Sequence, residues 1–288
     1  MIMPFTGATR VLGIIGQPVS HSLSPLMQNA ALQAMGLDYA YVPFAVEEDC
    51  LADAVRGLAA LGVVGFNVTI PHKSAILPLL DRLSPEAELI GAANVVKREG
   101  SDLVGYNTDG TGFIQSLSED LGFTPAGCRI LVMGAGGAAR AAVASLAGAG
   151  AASVVIANRS IARGEELSAA FRRHFIGTQF AAIPLDPENL NRCVQNFDLL
   201  VNTSSVGMGG TAFPGMDLSR MGPHGAVYDM VYVPAVTPLL AEAERCGIRY
   251  ANGIGMLAAQ GECALELWTG VRPPEGLMKA CLMAALMS

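Results

Sequence analysis

The segment from Arg129 to Ala149 constrains the fold more than any other. Arg129-Ile-Leu-Val-Met133 has the apolar character of a buried strand. It runs directly into Gly134-Ala-Gly136-Gly137-Ala-Ala139-Arg140 and then into an Ala-rich stretch of helical composition. A strand that turns on glycines into a helix opens a βαβ unit, and the GxGxxA spacing gives each small residue a task. Gly134 allows the tight turn, Gly136 lets the backbone approach a pyrophosphate, and the small residue at 139 lets helix and strand pack closely. The helix N-terminus then presents free N–H groups and a partial positive charge to phosphates. Gly-Ala runs also serve helix packing alone. The order strand, loop, helix is what favours a dinucleotide site held by Gly134, Ala135, Gly136, Gly137 and Ala138.

The next apolar run, Val154–Ala157, ends in Asn158-Arg159-Ser160, with Arg163 one helical turn later. A site for NAD commonly places Asp or Glu here, about 20 residues past the glycines, to bind the ribose hydroxyls. Asn158, Arg159, Ser160 and Arg163 suit a 2′-phosphate instead, so the expected cofactor is NADP. Two arginines in the first turn of a helix oppose its dipole unless an anion compensates them. The plainer reading is two solvated helix-start residues.

The same alternation of short apolar runs and helical patterns fills the chain, which predicts an α/β fold with mostly parallel sheets. Strands are expected near 11–15, 39–46, 63–69, 129–133, 154–157, 179–183, 199–202 and 227–230, with a hairpin over 94–106. Helices are expected at 24–35, 48–61, 109–121, 137–149, 161–174, 237–246, 254–268 and 274–287, with short ones near Pro71 and Ser84. The length of 288 residues suits two domains. We expect a first domain over 1–108, joined by the C-terminal helices 254–288, and a Rossmann-type nucleotide domain over 109–253.

Composition narrows the class. Hydrophobic residues make up 51% and charged residues 15%. That raises the question of a membrane protein, yet every apolar run is short and broken by Gly, Pro or charge. A spanning helix needs about 20 nearly uninterrupted apolar residues. Parallel strands buried on both faces explain the apolar content better. A net charge of −7 with no basic run argues against nucleic acid as the main partner. The six cysteines lie far apart with no CxxC pair, and no basic, apolar leader opens the chain. Both predict reduced thiols in a cytoplasmic protein, with no metal site. The four histidines (21, 72, 174, 224) lack ligand spacing, and no Gly-x-Ser-x-Gly elbow occurs. Zinc and serine hydrolases are thereby excluded. The sequence leaves the oligomeric state open between monomer and homodimer.

Polar residues of the first domain concentrate at strand ends. Ser22 and Ser24, two apart before a helix, suit a carboxylate. Ser24 is also read as the helix N-cap with Pro25 at the first helical position, whereas Ser22 has no capping duty. Asn67 and Thr69 share a strand face. Lys73 is placed in the first turn of a short helix, where the dipole disfavours a cation and would tune it as an acid/base. Asn94 precedes a strand. Asp109 could simply cap the helix that begins there, or could pair with Lys73 across a cleft between the domains.

These segments occur together as Ser-His-Ser-x-Ser-Pro, Asn-Val-Thr-x-Pro-His-Lys, Gly-Ala-x-Asn, Gly-x-Asn-Thr-Asp, Gly-Ala-Gly-Gly-Ala-x-Arg, Asn-Arg-Ser, Tyr-Asp-Met-x-Tyr and Gly253-Ile-Gly-Met-Leu-Ala-Ala-Gln260. In this order they resemble the shikimate/quinate dehydrogenase family from about residue 10 to the C-terminus. The resemblance implies an α/β substrate domain and a Rossmann NADP domain, with the active site in the cleft. It implies reversible reduction of 3-dehydroshikimate to shikimate on the way to aromatic amino acids, with quinate as an alternative substrate and NAD as an alternative cofactor. Ser22 and Ser24 would hold the substrate carboxylate. Thr69, Asn94, Asp109 and Gln260 would bind ring hydroxyls, with Asn67 and Tyr232 nearby. Lys73 and Asp109 would be the catalytic pair, and Met230 and Gly253 would lie near the nicotinamide, as would the loop 202–208. Three departures from the family pattern stand out. Val95 stands where Thr is usual, Gln28 stands where His is frequent, and Gly209 and Gly210 extend the loop after Met208. A non-catalytic NADP-binding sensor is the competing class, and it has no use for a Lys–Asp pair.

Overall fold

The short apolar runs form two separate sheets in a computed structural model that describes residues 5–287. The chain divides into two units. One holds the residues up to Gly112 and those from Leu257 onward; the other is Phe113–Met256.

The first unit contains β1 (Arg10–Gly16), α1 (Ser24–Ala34), β2 (Tyr39–Ala45), α2 (Leu51–Ala60), β3 (Gly65–Val68), β4 (Arg82–Leu83), α3 (Pro85–Ile90), β5 (Val95–Glu99) and β6 (Asp102–Tyr106). It also contains the start of α4 (Asp109–Leu121), most of α9 (Ile254–Thr269), and α10 (Leu277–Met287). The sheet order is β2-β1-β3-β5-β6-β4, and only β5 runs against the rest. The antiparallel β5–β6 pair is the expected hairpin, turned through Gly100 at φ 66°. Parallel strands buried on both faces need continuous apolar runs, and β3 is buried throughout. Glycine stands at 65 because a Cβ there would overlap the Trp268 indole, whose Nε1–H donates to Val96 O at 2.9 Å. α10 packs on α1, with Met278 and Leu282 fully buried.

The second unit contains β7 (Arg129–Met133), α5 (Gly137–Gly148), β8 (Ser153–Asn158), α6 (Ile161–Arg172), β9 (Gln179–Pro184), α7 (Pro187–Cys193), β10 (Leu199–Asn202), β11 (Ala226–Asp229), α8 (Pro238–Arg245) and β12 (Arg249–Asn252). All six strands are parallel, in the order β12-β11-β10-β7-β8-β9. The chain builds outward from β7 to β9, then crosses back to β10 and builds outward the other way. The reversal between β7 and β10 is the switch point at which doubly wound sheets bind ligands, beyond the carboxyl ends of the strands.

Several local expectations are corrected. No helix starts at Pro71. Residues 71–76 form successive turns closed by His72 N–H to Thr69 O and Ile76 N–H to His72 O, followed by a single 3₁₀ turn at Leu77–Leu79. Helix α1 begins at Ser24 itself, so Ser24 is not its cap. β4, α7 and β12 were not anticipated. β12 reads Arg-Tyr-Ala-Asn, a short and half-exposed edge strand with no apolar run. The six cysteines are all unpaired thiols. Among the described residues, no helix is long and apolar enough to cross a membrane, and no group of three or more His, Cys, Asp or Glu is placed to hold a metal ion.

Candidate active site

In the first unit the polar residues converge beyond the carboxyl ends of β1 and β3 and the start of α4. Lys73 lies in the turns after β3, and its backbone is pinned by Ala93 N–H to Lys73 O at 2.8 Å. Its Nζ donates to Asp109 Oδ2 at 2.6 Å, and both side chains are mostly buried. Asp109 is the first residue of α4 rather than its cap, and its own N–H donates to Asn107 Oδ1. Both residues belong to one unit, so they are not brought together across the domain boundary. With no helix at Pro71, no helix dipole acts on Lys73, and its ammonium is held by Asp109.

Asn94 is the hub of the cluster and is almost completely buried. Its Nδ2 faces Asp109 Oδ1 at 2.9 Å, Thr108 Oγ1 at 3.0 Å and Gln260 Oε1 at 3.3 Å, and its Oδ1 accepts the Thr108 N–H at 2.8 Å. Thr108 Oγ1 in turn donates to Gln260 O at 3.1 Å. Residues 94, 109 and 260, far apart in sequence, are therefore set by one hydrogen-bond network. Asn67 donates to Asn94 O at 3.0 Å and accepts the Tyr41 hydroxyl at 2.6 Å. Burial pushes the pKa of that hydroxyl well up. Tyr41 was missed because its position in β2 reads as ordinary strand core. Ser22 does have a local duty, since its Oγ accepts the Ser24 N–H at 3.3 Å. Helix α1 has no acidic residue in its first turn and no side-chain cap, which leaves its N-terminus suited to an anion. Thr69 is half-buried just past β3, against Gly16, where a Cβ would overlap the Thr69 methyl. His72 is buried, with Nε2 at 2.7 Å from Val46 O, and is structural.

In the second unit, Gly134 takes φ +116°, a conformation that side-chain-bearing residues rarely adopt, and a Cβ would sit 2.6 Å from Thr203 Oγ1. Gly136 is extended, and a Cβ there would meet nothing within 4 Å. Gly137 opens α5, which has neither a side-chain cap nor an acidic first turn. Together with Ala135 and Ala138 this forms an open cradle of backbone N–H groups that fits a pyrophosphate. At the end of β8, Asn158 Nδ2 donates to Ser160 O at 2.9 Å and shapes the turn into α6. Arg159 and Arg163 are exposed, and neither forms an ion pair among the described residues. Free guanidinium groups beside the cradle are the donor chemistry that a 2′-phosphate requires. Met230 and Gly253 pack directly together, because a Cβ at 253 would overlap the Met230 carbonyl. Tyr232 is half-buried, and burial raises its hydroxyl pKa.

Models of three family domains match the chain. The shikimate dehydrogenase substrate binding domain matches residues 14–96, shikimate/quinate 5-dehydrogenase matches 117–208, and the shikimate 5′-dehydrogenase C-terminal domain matches 253–283. A shikimate dehydrogenase (NADP(+)) of Geobacter metallireducens is 72% identical, covering 99% of each chain. Among solved structures, shikimate 5-dehydrogenase of Listeria monocytogenes in complex with shikimate and NAD superposes with a TM-score of 0.90 at 35% identity, covering 98% of this chain and 99% of that one. Shikimate 5-dehydrogenase of Thermus thermophilus in complex with NADP(H) and shikimate gives 0.85 at 36% identity, covering 96% of this chain and all of that one. The chain belongs to the shikimate dehydrogenase family.

Proposed function

We propose that the protein catalyses the reversible, NADP-dependent reduction of 3-dehydroshikimate to shikimate, with Lys73 and Asp109 as the proton-handling pair. The observation that carries the chemistry is the 2.6 Å Lys73–Asp109 contact inside a network that also fixes Asn94 and Gln260. NADP, when bound, supplies the hydride half of the reaction. Lys73 Nζ gives a proton to the ketone oxygen during reduction and takes it from the hydroxyl in the reverse direction. Asp109 holds Nζ in place and accepts a hydrogen bond from a ring hydroxyl. Asn94, Gln260 and Thr69 fix the remaining ring hydroxyls, with Asn67 and Tyr232 alongside. Ser22 and Ser24 bind the carboxylate at the start of α1, where the helix dipole favours an anion. Gly134 to Ala138 receive the pyrophosphate, and Asn158 to Arg163 receive the adenosine ribose and its 2′-phosphate. Positioned proton transfer of this kind contributes about 10²–10⁴-fold to rate.

The test is a steady-state matrix of shikimate and quinate, each with NADP and NAD. The reading expects the highest kcat/KM for shikimate with NADP. A dominant quinate–NAD pair would replace the substrate and cofactor assignment, and no turnover with any pair would favour a binding protein over an enzyme.

A further inference from the structure

The carboxyl ends of β7, β10 and β11 lie side by side, with Met133 opposite Asn202 and Asn202 opposite Asp229. Asp229 is the last residue of β11 and is completely buried. Its carboxylate has no cationic partner among the described residues. A buried charge is tolerated only when several donors converge on it, and three do. Oδ1 accepts from Asn202 Nδ2 at 2.8 Å and from the Val231 N–H at 3.0 Å, and Oδ2 accepts from the Thr237 hydroxyl at 2.6 Å.

The three donors control two pieces of chain. Val231 opens the 230–237 segment, and Thr237 closes it and caps α8 through the Leu240 N–H. Asn202 opens the loop over 202–210. Its Nδ2 also donates to Val206 O at 2.7 Å, and its Oδ1 accepts from the Ser204 N–H and hydroxyl at 3.0 and 2.7 Å. Thr203 then ties that loop to Met133 O through its N–H at 2.9 Å and its hydroxyl at 2.8 Å, one residue before Gly134. A line of hydrogen bonds, joined by the Asn202–Thr203 peptide bond, thus runs from α8 through Asp229 to the start of the glycine turn. Only an all-acceptor group can receive these three donors at once without turning a donor of its own toward them.

We propose that Asp229 is a positioning residue for nucleotide binding: its carboxylate sets segments 202–207 and 230–237 in their binding conformation before a ligand arrives, without touching the ligand. The proposal rests on the reading of the second unit as the NADP-binding unit. Loops ordered in advance spare the ligand the entropy of ordering them.

The experiment titrates NADP by calorimetry into the unliganded full-length protein, wild type and Asp229→Ala, alongside amide hydrogen exchange without ligand. Folded Asp229→Ala is expected to bind NADP about tenfold more weakly and to exchange faster at 202–207 and 230–237. Asp229→Asn keeps an oxygen for Asn202 and Val231 but loses the acceptor for Thr237, so it should bind NADP more tightly than Asp229→Ala and more weakly than the wild type. A variant that was merely less stable would keep the wild-type Kd and exchange uniformly faster. Thr237→Val removes the 2.6 Å donor at nearly constant size and gives the same readout with less risk to folding. An unchanged Kd in Thr237→Val or in folded Asp229→Ala overturns the proposal. Failure of the wild type itself to bind NADP would instead overturn the assignment of the nucleotide unit.

Discussion

Asp109 is committed on both oxygens while Lys73 is not. Asp109 Oδ2 receives Lys73 Nζ at 2.6 Å and Oδ1 receives Asn94 Nδ2 at 2.9 Å, whereas Nζ has Asp109 as its one partner among the described residues. An ammonium has three donors. The carboxylate therefore acts as an anchor, and the free directions of Nζ are where a substrate oxygen can be met.

Lys73→Ala should lose about 10²–10⁴-fold in kcat with little change in KM for shikimate, because a proton-transfer group acts chiefly on the transition state. Removing the ammonium also leaves the Asp109 charge without its cation, so rates are to be read on protein shown to be folded by circular dichroism. Turnover near the wild-type level would remove Lys73 from the mechanism.

Arg159→Ala should raise KM for NADP much more than KM for NAD, since only the former carries the 2′-phosphate. The side chain is exposed and without an ion pair among the described residues, so stability should move by less than about 0.5 kcal/mol. Steady-state kinetics with both cofactors decides the matter; equal effects would refute the role given to the guanidinium.

Strand-ending glycines and asparagines make much of this arrangement legible in the sequence. The Gly134–Arg140 turn, the hairpin and the Asn-Thr-Asp segment at 107–109 each couple a local pattern to a local geometry. What escaped has a physical reason. Tyr41 looks like strand core, and only tertiary packing brings its hydroxyl to Asn67. The Pro-His-Lys segment reads as a helix start, but the backbone at Thr69 and His72 closes turns instead. Asp229 reads as the polar end of a strand, and its partners Asn202 and Thr237 lie 27 and 8 residues away.

Burial pushes the Asp229 carboxyl above its ordinary value, against the opposing pull of the Thr237, Val231 and Asn202 hydrogen bonds. No charged group contributes, and the neighbouring titratable group, Tyr228, is itself raised far out of the acid range. With the folded pKa above the unfolded one, the native state holds the proton more tightly. Stability should therefore fall as pH rises from the ordinary value of 3.8 to the folded value, then level off. Urea melts of the wild type and Asp229→Asn across that range isolate the effect, because the variant lacks the titrating group. A stability difference that is flat, or that grows in favour of the wild type with pH, would contradict the sign.

Gln28 is fully buried on α1, and its Nε2 donates to Gly261 O at 3.0 Å, while its Oε1 has no hydrogen-bond partner among the described residues. Gly261 lies inside α9, where its carbonyl already receives the bond from the following turn. The amide thus supplies one shared hydrogen bond, worth about 1 kcal/mol, and carries an orphaned acceptor, which costs about 1–3 kcal/mol. Met has nearly the same shape and no polar atom to strand, and Met27 and Met278 already border this spot. Gln28→Met should therefore leave the protein as stable as the wild type or more so by up to about 2 kcal/mol, read as an equal or higher urea midpoint at unchanged slope. A loss of more than about 1 kcal/mol would mean that Oε1 is satisfied in solution and that Gln28 belongs with the hydrogen-bonded core.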